Sequence, residues 1–225
     1  VQILPPASEH PSELRLLKSV QEICSLAGLS PPEVGIYSSH EINAFATGPT
    51  RDKALIAVSS ELMAQLDDKA LRGIVAHELA HVANGDMVTM TLLQGLINSL
   101  VLAEARFFSS LFCLLLPSRL RSEFRLRIFL FLQIVLTLFG TLLVCYFSRR
   151  RELRADEVAL KWAGPEALLA GLSALSEADK SGNESQHWLD SLKISESSGS
   201  WAKAFATHPS WEERLSKVKG ENVRT

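Results

Sequence analysis

Cysteine is scarce in this 225-residue chain, and the three present, Cys24, Cys113 and Cys145, stand far apart in apolar surroundings without paired ligand spacing. That excludes a disulfide framework and a cysteine-based metal site, and it fits a reducing compartment. Net charge is nearly absent too, at −2, and no basic run carries interleaved aromatics, so nucleic acid is not an expected partner. Two stretches lack charge altogether. Met87 to Ala103 and Ile128 to Ser148 are uncharged and apolar, and the second meets the requirement of about 20 residues for a membrane-spanning helix. The first, 17 residues long, sits at the lower limit of the usual range of roughly 17 to 25. A starting methionine is also lacking, so further segments before Val1 are expected.

Against these absences stands His77-Glu78-Leu79-Ala80-His81. Two histidines four residues apart on a helix project from one face at a spacing that suits one zinc ion. Glu78 between them is placed to take a proton from a metal-activated water rather than to bind the metal. Ile74, Val75, Leu79, Val82 and Ala83 give this helix an apolar stripe, Asp67 or Asp68 supplies its N-cap, and Gly85 stops it. Histidines on a buried face need partners for their ring nitrogens, and one metal serves both. Zinc hydrolases use three protein ligands and leave one position open to water, so a third ligand, His or carboxylate, must come from elsewhere.

Ahead of this helix, Ser12 is a candidate cap for a helix whose Leu14, Leu17, Val20, Ile23, Cys24 and Ala27 share a face, ending at Gly28. Three short strands follow, Val34 to Tyr37, Ile42 to Thr47 and Ala54 to Val58, the last two separated by a Gly48-Pro49 turn. Beyond the first apolar segment, Glu104 and Arg106 precede a second apolar piece, Phe107 to Leu116, expected to lie along the membrane surface. Arg119, Arg121, Arg125 and Arg127 form a basic stretch before the second span. Ser181 to Ser200, rich in Ser and Gly, reads as a mobile loop, and His10, His40 and His187 read as surface residues.

Directly after the second span, Glu152 and Asp156 lie four apart within Ser148-Arg149-Arg150-Arg151-Glu152-Leu153-Arg154-Ala155-Asp156. Alone they are ordinary i,i+4 partners of the surrounding arginines. Beside a His-Glu-x-x-His helix, Glu152 becomes a candidate third ligand and Asp156 a candidate hydrogen-bond acceptor from a ligating histidine. Together with Asn43-Ala44-Phe45-Ala46-Thr47-Gly48 and Asn84-Gly85-Asp86-Met87, these motifs resemble the HtpX-type membrane zinc metalloproteases, relatives of the CAAX prenyl proteases. The resemblance covers nearly the whole chain. It implies one zinc ion per chain on His77, His81 and Glu152, Glu78 as general base, and endoproteolysis of misfolded or damaged membrane proteins in a bacterial inner membrane. It also implies two further hydrophobic spans ahead of the zinc domain. His208, in Thr207-His208-Pro209-Ser210, resembles the family's His-Pro element, where a histidine stabilises the tetrahedral oxyanion. Arg214, after the Ser210-x-x-Glu213 capping box, is a candidate partner for Asp156.

The expected fold is mainly helical with a small sheet: a zincin-like core in residues 1–86 and 149–225, interrupted by a membrane hairpin in 87–148. The strand near Asn43 to Thr47 is expected at an edge, where an extended substrate can pair with it. Because the zinc helix and Glu152 share one metal, both ends of the hairpin must lie on one side of the bilayer, cytoplasmic by resemblance. Expected partners are unfolded or membrane protein substrates and the lipid bilayer. Two other readings stay open, a CAAX-type processing protease and a non-catalytic zinc-stabilised membrane scaffold. Glu78 argues against the scaffold, since a structural site has no use for a base.

Overall fold

The computed structural model describes residues 1–5, 8, 10–184, 205, 206 and 208–222. The chain falls into two compact units. Among the described residues, the first unit comprises 1–88, 150–184 and 209–222, and the second 89–149 with Phe205, Ala206 and His208.

In the first unit, strand β1 (Gln2–Ile3) leads to helix α1 (Pro11–Ala27), then to β2 (Glu33–Tyr37), β3 (Ala44–Thr50) and β4 (Lys53–Ser59). Helix α1 starts from His10 with Pro11 at its first position rather than from Ser12. Proline there gives up no hydrogen bond and brings a helical φ, so it sets the start. The buried face is Leu16, Leu17, Val20, Ile23 and Cys24, while Leu14 faces outward.

The four strands form a mixed sheet in the order β1-β2-β4-β3, with β2 and β4 parallel and the other pairs antiparallel. One strand more than expected is present, because the two-residue β1 is too short to show a period. Covered on both sides by neighbours, β4 is almost continuously buried, whereas β3 lies at the edge and alternates. Gly48-Pro49 is not the turn. Strand β3 runs on to Thr50 through a register shift, and the chain reverses at Arg51-Asp52. Gly48 has φ 147°, and a Cβ there would stand 2.2 Å from the Lys53 carbonyl oxygen, so the irregularity requires glycine.

Short helix α2 (Ser60–Gln65), capped by Ser59, precedes α3 (Asp68–Asn84). The Asp67 side chain accepts from the Ala70 N–H at 2.7 Å, and Gly85, at φ 68°, closes the other end by donating to the His81 and Val82 carbonyls. Leu71, Val75 and Leu79 of α3 pack with Leu16 and Ile23 of α1, Ile56 and Val58 of β4, and Leu168 and Leu172 of α6 (Pro165–Glu184). Burying each such side chain contributes about 1.5 to 3 kcal/mol, which ties the metal-motif helix to the core on its other face. Helix α7 (Trp211–Asn222) completes the unit through Leu215 and Val218. Helix α6 continues through Glu184, so the expected loop from Ser181 begins in a helix; residues 185–200, and His187 with them, lie outside the described residues.

Helices α4 (Asp86–Leu114) and α5 (Ser118–Ala163) supply the second unit. Both are long and apolar enough to cross a membrane. Phe107 to Leu114 continues helix α4 without a break, rather than forming a separate surface segment. Ala105, Ser109 and Cys113 are buried at four-residue intervals, while Leu92 and Phe107, 67% and 62% exposed, face away from the protein. On α5, Phe131 and Phe139 are each 66% exposed. An apolar surface of this extent needs lipid or protein over it. The helices approach closely at Gly140, where a Cβ would sit 2.8 Å from Ile97. Cys145 and Arg149 hold the segment before His208 through the Phe205 and Ala206 carbonyls, at 3.3 and 2.7 Å.

Candidate metal centre

One turn of α3 separates His77 from His81, and the two Nε2 atoms lie 3.2 Å apart. The C-terminal part of α5, beyond Arg150, brings the Glu152 carboxylate to 3.5 Å from each of them. All three side chains are buried. A tetrahedral ion with bonds of about 2.0 to 2.2 Å has donor–donor edges of about 3.3 to 3.6 Å, close to this triangle. The donor set therefore fits one divalent metal, and these residues are the ones that would hold it.

Each histidine has its other ring nitrogen engaged. His77 Nδ1 lies 3.0 Å from Asp156 Oδ1, and His81 Nδ1 lies 2.7 Å from Asp86 Oδ2. Carboxylates at these positions set the ring orientation and raise the basicity of the Nε2 atoms that face the third donor. Asp156 is fixed in turn by a two-pronged bond from Arg214, Nε to Oδ2 at 2.8 Å and Nη2 to Oδ1 at 2.7 Å, and the arginine is 4% exposed. The expected Asp156–Arg214 pairing is thus present. Burial alone would lower the pKa of His77, but hydrogen bonding to Asp156 and Glu152 outweighs it and pushes the value up to about 9.

Glu78 points from the same helix and is half-buried. Its surroundings still strip enough water to raise its pKa, against the opposing pull of His77 and His81 and with Glu152 adding to the rise. The Ala46 N–H donates to its carboxylate. This bond follows from sheet register. The Asn43 carbonyl accepts from Ser59 N–H at 2.9 Å, so Phe45 and Thr47 also direct their backbone groups to β4, and Ala44 and Ala46 direct theirs outward from the edge strand.

Two contacts escape the sequence reading. Asp86 lies five residues past His81; its signal was a carboxylate just beyond the Gly85 stop, next to a ligand-type histidine. Arg151, the immediate neighbour of Glu152, donates from Nη2 to its Oε1 at 2.7 Å, where helical spacing pointed to partners three or four residues away. His208 belongs to the second unit, with its side chain exposed. His10 and His40 are also exposed.

Comparison with known proteins gives the chain a family. A protease HtpX homolog of Bacillus licheniformis is 38% identical over 224 residues, covering 98% of this chain and 75% of the relative. Another from Bacillus subtilis is 38% identical with the same coverage, and protease HtpX of Nitrosococcus oceani is 38% identical over 94% of this chain and 72% of its own length. Among solved structures, Ste24p of S. mikatae shares the fold with a TM-score of 0.61 at 17% identity over 95% of this chain, which spans half the length of that protein. The family model described as Peptidase family M48 matches residues 11–222, a span that contains the His-Glu-x-x-His helix, the sheet edge and the Glu152 helix, and the chain belongs to peptidase family M48.

Proposed function

We propose that this chain is a zinc-dependent endopeptidase of a bacterial cytoplasmic membrane, with its site on the cytoplasmic side, hydrolysing peptide bonds of misfolded or damaged membrane proteins. The observation that carries the reading is the triangle of His77, His81 and Glu152 with Glu78 beside it on α3. Two imidazoles, a carboxylate and an adjacent unligated carboxylate are the composition of a hydrolytic site rather than a structural one, where the fourth position is also a protein ligand. Zinc held there supplies Lewis acidity, lowering the pKa of water and polarising a scissile carbonyl.

Glu78 takes the proton from the attacking water and passes it to the departing amine, acting first as base and then as acid. A pKa raised above the ordinary carboxylate range suits both duties. The outward backbone groups of Ala44 and the Ala46 carbonyl offer an extended peptide a strand to pair with, and main-chain pairing is tolerant of sequence, as quality control demands. His208 is assigned, by resemblance, to the oxyanion formed on the substrate.

Glu78→Gln tests this directly. The full chain in detergent or liposomes should keep its zinc, measured by elemental analysis, and lose nearly all cleavage of an unfolded membrane substrate, because an amide cannot accept the proton. A prenylated peptide assayed beside it should be cleaved poorly by the unsubstituted chain. Substantial cleavage by Glu78→Gln would remove the proposed base, and preference for the prenylated peptide would replace the quality-control reading with peptide processing.

A further inference from the structure

Behind the donor triangle, the contacts continue outward for two more layers. Arg214, which grips Asp156, lies with its guanidinium carbon 5.2 Å from the centroid of the Trp211 ring. Trp211 and Arg214 are three apart on α7, so they occupy one face of that helix. The Trp211 indole N–H donates to Asp179 Oδ2 of α6 at 3.1 Å. Ser210 starts the helix, accepting at Oγ from the Glu213 N–H and at its carbonyl from the Arg214 N–H. The ring is therefore held at its edge by α6, at its backbone by the cap, and presents its face to the arginine.

We propose that Trp211 is a positioning residue of the metal centre, holding the Arg214 guanidinium in the plane that orients Asp156 and, through it, the His77 ring. The inference rests on the zinc-site reading above. A guanidinium has a broad choice of rotamers, and its two-pronged bond to a carboxylate works only in one plane; an aromatic face restricts the side chain to that plane and adds cation–π attraction. In an enclosed setting the attraction is stronger than at a free surface, and Arg214 is almost fully buried. Trp211 also packs against the core, so its positioning role is read from how a change there acts through Arg214 rather than from packing.

Zinc affinity of the full chain, measured by competition with a chromophoric chelator, reads this chain of contacts without relying on proteolysis. Trp211→Leu should weaken zinc binding about three- to tenfold, less than the roughly 10- to 100-fold expected for losing a carboxylate that touches a ligand. Trp211→Phe, which keeps an aromatic face but loses the indole N–H, should weaken binding only about twofold, as Asp179→Ala should. In an Arg214→Lys background, where the planar fork is gone, Trp211→Leu should add nothing further. Zinc binding unchanged by Trp211→Leu, an equal loss in Trp211→Phe, or an undiminished loss in the Arg214→Lys background would each overturn the inference. If Trp211→Leu fails to fold, Asp179→Ala, at an exposed residue, takes its place: an affinity loss of about twofold is expected from releasing the indole, and no loss overturns the proposal. Failure of the unsubstituted chain to bind zinc would instead overturn the reading of the site itself.

Discussion

His77 carries two opposing demands. Metal binding requires a neutral imidazole, yet without metal the Asp156 and Glu152 carboxylates hold its pKa at about 9, so at neutral pH the ring binds a proton that zinc must displace. The sign follows: raising the pH through this interval removes the competitor and strengthens zinc binding. Apparent zinc affinity should climb about tenfold per pH unit from roughly pH 7 to pH 9 and then flatten, with about one proton released per zinc bound. Calorimetry in buffers of different ionisation enthalpy, with chelator competition across the same range, measures both. A flat profile with no proton release would show that His77 is already neutral. At this scale the His77, Glu78 and His81 trio was legible because i,i+4 spacing on a helix is a local property. Asp86 was not, because it reaches His81 only after the left-handed Gly85 turns the chain back on the helix it has just ended.

Between elements, the tightest constraint is the crossing of α3 and α6. A Cβ on Gly73 would stand 2.1 Å from the Ala167 carbonyl oxygen and 2.6 Å from its carbon, both backbone atoms that cannot move aside independently. Gly73→Ala should therefore force the helices apart and lower stability by about 1 to 3 kcal/mol despite alanine's better helix propensity. Gly220→Ala on α7 meets nothing within 4 Å and should gain up to about 1 kcal/mol from the same propensity. Thermal unfolding of the two variants side by side gives opposite shifts if packing governs the first and propensity the second. Helices α1 and α3 were readable from their apolar stripes and stop signals. At the end of β3, Gly and Pro, which commonly mark a turn, instead stand inside a strand that keeps pairing to Thr50, where Gly48 relieves a bulge. Glu104 and Arg106, which end the uncharged run, lie inside helix α4, since a charge does not break a helix.

For the whole chain, Asn84 and Arg150, at the two ends of the hairpin, both belong to the first unit, which also contains His77, His81 and Glu152. The proposed topology puts both ends in the cytoplasm and the α4–α5 connection across the bilayer. With Cys24, Cys113 and Cys145 replaced by alanine, Ser118→Cys should react with a membrane-impermeant thiol reagent in intact cells and Lys180→Cys should not. Reaction at position 180 would place the site outside the cytoplasm, and protection at both positions would exclude a crossing hairpin.

The sequence by itself determined the metal motif, the apolar spans and the local starts and stops of helices, because spacing, hydropathy and capping act within a few residues. Tertiary structure decided what surrounds the motif. Glu152 reaches His77 from 75 residues away, Asp156 and Arg214 pair across 58, and Ala46 meets Glu78 through the free edge of a sheet. None of those distances has a period or a local propensity behind it. They are set by how α3, α5, α7 and β3 pack around one core, where a buried carboxylate or guanidinium is stable only if the fold brings it a partner.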